Sequence, residues 1–230
     1  MSEYFTVALS IEYILVLHME SKDVIYYTVA PGVEFDPKLL ELFRRAIQFK
    51  ELDLPTAEGE IEQATLQGKY LVSRAGKNTW VTIIINQKPT RFTREALHSF
   101  SIKFESRYGR ECRHLYTKFS GDISVFRQDS VTRESVDGII NEVFHMDLTL
   151  PHKLGFPTGK KLSKTTKKIW NMSEDLAHET KGYVLLGDLF TKAKKEFGFD
   201  SKDITDSIFN LVEAKYLNPI SLEEFKQKFS

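Results

Sequence analysis

Glu60-Ile61-Glu62-Gln63-Ala64-Thr65-Leu66-Gln67-Gly68-Lys69-Tyr70-Leu71-Val72-Ser73-Arg74-Ala75-Gly76-Lys77-Asn78-Thr79-Trp80-Val81-Thr82-Ile83-Ile84-Ile85-Asn86 contains three β-rich runs. They are separated by Gln67-Gly68 and Gly76-Lys77-Asn78, short polar breaks of the kind that close hairpins. The reading is an antiparallel meander over Glu60–Leu66, Lys69–Ala75 and Thr79–Asn86. Upstream, Asp36-Pro37 opens a helix: Asp accepts backbone N–H bonds, and Pro lacks the N–H that the first helical position would orphan. Leu39, Leu42, Phe43, Ala46 and Ile47 follow at helical spacing. Further upstream, Tyr4 to His18 and Val24 to Val29 share a β-rich composition on either side of a polar stretch and read as a hairpin. Downstream, Thr93 is the expected cap of a helix with Leu97, Phe100, Phe104 and Tyr108 on one stripe. Thr132 is the expected cap of another, whose Val136, Ile139, Ile140, Val143 and Phe144 form the clearest amphipathic pattern in the chain.

Composition bounds what this arrangement can be. The chain has 230 residues, 41% of them hydrophobic, with 17 Phe, so one or two domains with real cores are expected and wholesale disorder is not. Lys and Arg number 32, as do Asp and Glu. That balance removes the global electrostatic argument for nucleic acid and leaves only local patches. Cys112 is the single cysteine, so no intrachain disulfide can form, and a reducing, cytoplasmic compartment is expected. Met1-Ser2-Glu3 lacks a secretory pattern, Ser2 does not suit myristoylation, and the end Lys-Gln-Lys-Phe-Ser offers no cysteine for prenylation. The longest early apolar run, Tyr13 to Leu17, falls short of the ~20 residues that span a bilayer.

Between Leu150 and Lys168 the composition changes. Pro151, Gly155, Pro157 and Gly159 precede a lysine run, which places a Lys-rich linker at 151–164 between a domain over 1–150 and another over 165–230. The second domain shows three helical stripes: Ile169, Met172, Leu176; Leu186, Leu189, Phe190, Ala193, Phe197; and Ile204, Ile208, Leu211, Val212, with Ser201 as expected cap. Ser221 and Glu224 have capping-box spacing before a last short helix carrying Leu222, Phe225 and Phe229.

No catalytic constellation accompanies these elements. His145-Met146-Asp147 with His152 matches no compact metal spacing. Gly155-Phe156-Pro157-Thr158-Gly159-Lys160-Lys161 has three residues between its glycines where a phosphate loop has four, and no Ser or Thr after the lysine. Cys112, between Arg110 and Arg113-His114, has neighbours that could lower its pKa, but no base or oxyanion site is legible beside it. An enzyme is therefore not expected, nor a cofactor or a metal. Lys160, Lys161, Lys164, Lys167 and Lys168, with Lys153, are the candidate contacts to an anionic surface, worth ~1 kcal/mol per well-placed lysine at a membrane.

The order β-β-α-β-β-β-α-α from residue 4 to about 148 resembles the longin fold, a circular permutation of the roadblock arrangement. Ala96-Leu97-His98-Ser99-Phe100 running into Phe104 and Tyr108, and Gly121-Asp122-Ile123-Ser124-Val125-Phe126 leading to Glu142-Val143-Phe144, strengthen the likeness. Similar stretches occur in longin-like modules of trafficking adaptors, tethering complexes and small-GTPase-associated proteins of archaea related to eukaryotes. Residues 163–220 resemble a winged helix, with the helix from Ser201 in the recognition position. The resemblance implies an α+β fold with a five-stranded antiparallel sheet flanked by helices, followed by a mostly helical domain. It implies a non-enzymatic scaffold or adaptor that binds a small GTPase, pairs with another longin or roadblock protein, or forms a homodimer, with peripheral contact to an anionic membrane. The candidate partner surface is the stripe Leu39, Leu42, Phe43, Ala46 and Ile47, together with the edge of the first strand. The alternative is a DNA-binding transcriptional regulator using the winged helix. Asp200, Asp203, Asp206 and Glu213 against Lys202 and Lys215 argue against DNA on that helix, whereas Lys192, Lys194 and Lys195 on the preceding one could touch phosphates.

Overall fold

A computed structural model describes residues 2–127, 132, 134–156, 162–220 and 224. The chain divides into two compact units, Ser10–Phe144 and Met1–Leu9 with His145–Ser230. The first element is a helix, α1 (Ser2–Ser10), where composition suggested the start of a strand. Its β-favouring residues sit at helical spacing, with Phe5 and Ala8 fully buried and Phe5 and Leu9 packed into the core of the second unit. Periodicity and burial override composition here.

The first unit is α+β. β1 (Ile11–His18) and β2 (Val24–Val29) pair antiparallel; α2 (Pro37–Gln48) follows; β3 (Ile61–Leu66), β4 (Lys69–Ala75) and β5 (Thr79–Ile85) form the meander. β5 then pairs with β1, giving one five-stranded antiparallel sheet in the order β2-β1-β5-β4-β3. β1 is therefore interior, buried along its whole length, and has no free edge to offer a partner. Gln67 and Gly68 both take positive φ, which suits a two-residue hairpin loop.

Asp36 caps α2, accepting from the N–H groups of Lys38 at 2.9 Å and Leu39 at 3.3 Å, with Pro37 at the first helical position. The Tyr13 hydroxyl fixes this entrance: it donates to the Glu34 carbonyl at 3.1 Å and accepts from the Asp36 N–H at 2.9 Å. Leu39, Phe43 and Ile47 pack on Tyr13, Leu15, Leu17, Leu71, Ala75 and Ile84, one face of the sheet. The other face carries α3 (Arg91–Arg113). Thr90, not Thr93, is its cap; Thr93 sits three residues in and completes a reciprocal capping box. After the short α4 (Leu115–Lys118) and a 3-10 turn at Ile123–Phe126 comes α5 (Val136–Phe144). Its cap is Ser135 rather than Thr132: the Gly138 N–H donates to the Ser135 hydroxyl oxygen at 3.1 Å. Phe100, Phe104, Tyr108, Phe126 and Phe144 interlock between α3, the 3-10 turn and α5, with centroids such as Phe104 and Tyr108 5.2 Å apart.

The second unit, beyond α1, contains a 3-10 turn at Met146–Thr149, β6 (His152–Leu154), α6 (Lys164–Glu179), β7 (Tyr183–Val184), α7 (Leu186–Phe197), α8 (Ser201–Glu213) and β8 (Leu217–Pro219). The expected linker thus begins with a strand. β6 is the middle of a three-stranded antiparallel sheet ordered β7-β6-β8. Beyond it, the Gly155 N–H donates to the Tyr216 carbonyl at 2.7 Å, and a Cβ on Gly155 would collide with the Lys215 carbonyl oxygen, so the close approach needs glycine. Ile169, Met172, Leu186, Leu189, Ala193, Ile204, Ile208 and Leu211 build the helical core around Phe5, whose ring lies 6.1 Å from that of Phe209. Asp200 rather than Ser201 caps α8. Ser221, Leu222, Phe225 and Phe229 lie outside the described residues. No helix among the described residues is long and apolar enough to cross a membrane.

Candidate functional site

β4 and β5 are joined by Gly76-Lys77-Asn78, and this turn is tied to the middle of α3 by a single carboxylate. Glu105 Oε1 accepts from the N–H of Asn78 at 2.8 Å, the N–H of Thr79 at 2.9 Å and the Thr79 hydroxyl at 2.7 Å; Oε2 accepts from Asn78 Nδ2 at 2.8 Å. A Cβ at Gly76 would come within 2.6 Å of Glu105 Oε1, so a side chain there would have to displace this carboxylate.

Beside the clasp lies a cavity of about 440 Å³. Its floor includes Arg74, which strand alternation turns toward α3, opposite the face that Ala75 gives to α2. Arg74 is 6% exposed; its Nη1 donates to the Ser101 hydroxyl at 2.6 Å, and its Nε is buried without a partner. Burial draws the guanidinium below its ordinary pKa, and the charges of Glu58 and Glu105 oppose that shift. Lys77, Arg110 and Arg113 line the cavity from the turn and from α3, and Ile102, half exposed, adds an apolar wall. Among the described residues, Lys77, Arg110 and Arg113 form no ion pair. Sequence reasoning missed this site. Its only signal was Arg74, a charge on the buried face of a strand otherwise lined there by Tyr70 and Val72.

The residues singled out from sequence fare differently. Leu39, Phe43, Ala46 and Ile47 are buried and Leu42 is half-buried. The stripe covers the unit's own sheet and is not a free partner surface. Lys164, Lys167 and Lys168 are exposed on the first turns of α6, with Lys168 Nζ 5.2 Å from the centre of the Phe197 ring. Lys160 and Lys161 lie outside the described residues. Lys153 pairs with Glu224 at 2.7 Å. Cys112 is fully buried, and burial pushes its thiol up to about 12, with Glu105 and Glu111 adding to the shift, the reverse of what its basic neighbours would do. His152 is fully buried in β6, its Nδ1–H donating to the Leu150 carbonyl at 2.7 Å, and burial draws its pKa down to about 4. Among the described residues, no three His, Cys, Asp or Glu side chains gather as a metal site. Sequence reasoning also missed Phe156, 94% exposed just past β6.

No protein-family model matches the chain, and no curated protein matches it.

Proposed function

We propose that the chain is a non-enzymatic scaffold acting in GTPase regulation or membrane trafficking. In this reading the first unit is a longin-like module that binds a small GTPase or pairs with another such module, a second copy of the chain included. The second unit is a protein-binding winged helix. The observation that carries the reading is the element order from β1 to α5: strand, strand, helix, three strands, the long helix α3, the short α4 and the nine-residue α5, with α2 on one face of a single antiparallel sheet and α3 on the other.

Because α2 is occupied by its own sheet and β1 is interior, the partner surface in this reading moves to a sheet edge. The β2 edge is flanked by the 3-10 turn Ile123–Phe126, with Arg127 stacked over the Tyr27 ring at 5.5 Å and the Tyr26 hydroxyl bonded to Asp137. β3 forms the opposite edge, half-exposed to exposed along its length, and its outward backbone groups can accept a further strand. For the second unit, the solvent side of α8 presents Asp203, Asp206 and Glu213 against Lys202, a charge balance that favours a protein partner over DNA phosphates.

The test is binding of the purified chain to a panel of small GTPases from the same organism, each loaded with GDP or a GTP analogue, with oligomeric state followed by light scattering. The expected result is nucleotide-dependent binding to at least one member. A folded, monomeric protein that binds none of them overturns the proposal, and salt-sensitive DNA binding by that protein would favour the regulator instead.

A further inference from the structure

The cavity between the β4–β5 turn and α3 holds four cations: Arg74 on the floor, with Lys77, Arg110 and Arg113 around it. Two carboxylates, Glu58 and Glu105, share the lining, so two formal positive charges remain. Glu105 already accepts four hydrogen bonds from Asn78 and Thr79, and its role in the turn is complete without the cations. Arg110 and Arg113 stand three residues apart on α3 and so share a face. Arg74 is the unusual member. A guanidinium this buried normally has a carboxylate in direct contact, because taking a charge out of water is costly unless it is paired and hydrogen-bonded. Glu58 and Glu105 act on Arg74 through their charge without forming an ion pair with it. Here its hydrogen-bond partner is the neutral Ser101 hydroxyl, and its Nε has none.

We propose that this cavity binds a phosphomonoester, whose phosphate pairs directly with Arg74 and is gripped from the rim by Arg110, Arg113 and Lys77. Three features select that chemistry. A phosphomonoester carries about −1.5 to −2 charge at neutral pH, which matches the two uncompensated positive charges. Guanidinium forks suit phosphate oxygens better than a point charge does. The volume of about 440 Å³ exceeds what a bare anion fills, and the exposed Ile102 side chain offers an apolar contact for the organic portion. The site does not depend on the GTPase reading, and either can fail without the other.

The experiment is calorimetric titration of the full chain, at fixed ionic strength, with inorganic phosphate, glycerol 3-phosphate and acetate. One saturable site is expected for both phosphates, tighter for glycerol 3-phosphate, with acetate far weaker. The double variant R110A/R113A, altered only at exposed positions, is expected to weaken phosphate binding by about tenfold or more. A triple variant at Lys192, Lys194 and Lys195, which belong to the other unit, should leave binding unchanged. R74M, provided its circular dichroism is native, should abolish it. Vesicles containing phosphatidate separate the two sources of the ligand: binding that R110A/R113A abolishes assigns the site to a headgroup, and soluble binding alone assigns it to a free ester. No saturable phosphate binding, acetate binding as tight as phosphate, or equal losses in the rim variant and the variant of the other unit would overturn the proposal.

Discussion

The two units of this chain bury their cores by opposite routes. In Ser10–Phe144 most of the sheet comes from neighbours in sequence: β1 with β2, and β3 with β4 and β5, joined by short turns, so only the β1–β5 pairing closes over a long loop. In the other unit, the core gathers Phe5 from the first helix with residues from 169 to 217, and the central strand of its small sheet precedes all three long helices. The difference teaches where polar groups are trapped. The local sheet traps a charge, Arg74, where strand alternation and α3 bring it under cover; the non-local sheet traps a neutral imidazole, His152, between two short strands.

The strongest attempt to break this contrast is Phe5→Ala. Removing a fully buried ring from the second unit's core is expected to cost about 3–5 kcal/mol. Hydrogen exchange should show lost protection in α6, α7 and α8 while β1–β5 amides keep theirs; equal loss in both units would refute the assignment of the first helix. Next in size is a pH effect centred on His152. The unfolded imidazole takes a proton near 6.5, whereas the folded one resists until about 4. The full contribution to stability is therefore present above 6.5 and is lost as pH falls toward 4, by about 3 kcal/mol. Urea midpoints of wild type and His152→Phe across that interval test it, since the variant's profile should be flatter; parallel profiles would sink the idea. The smallest effect sharpens the first unit. Ser135→Ala should cost about 1 kcal/mol through the lost cap of α5, whereas Thr132→Ala, which removes no hydrogen bond to that helix, should stay within about 0.5 kcal/mol. Equal costs would return the cap to Thr132.

What could be read in advance follows the same division. Gln67-Gly68, Asp36-Pro37 and the stripe Val136 to Phe144 announced a hairpin, a helix start and a buried face, because turn chemistry, capping and periodicity act over a few residues. The stretch before Ser10 misled because Phe, Val and Tyr favour strands by composition, and its partner core lies more than 150 residues away. β6 escaped notice because three residues carry no measurable period, and Pro151 and Gly155 around them read as loop. Among the candidate sites, the exposure of Lys164, Lys167 and Lys168 was legible from their density of charge. The stripe at Leu39 was legible as a buried face but not as to what would cover it.

By itself the sequence determined the α+β class, the meander, the helix faces and the lack of a compact metal or phosphate-loop motif, since each rests on spacing along the chain. Tertiary structure alone decided that β1 is interior, that α1 belongs with the second unit's core, and that Arg74, Arg110, Arg113 and Lys77 surround one cavity. Hydrogen-bonded turns and amphipathic stripes are local, but desolvation and charge convergence depend on which distant surface closes over a residue. Arg74 and Ser101 meet across 27 positions of sequence, and no spacing rule within β4 or α3 predicts that meeting.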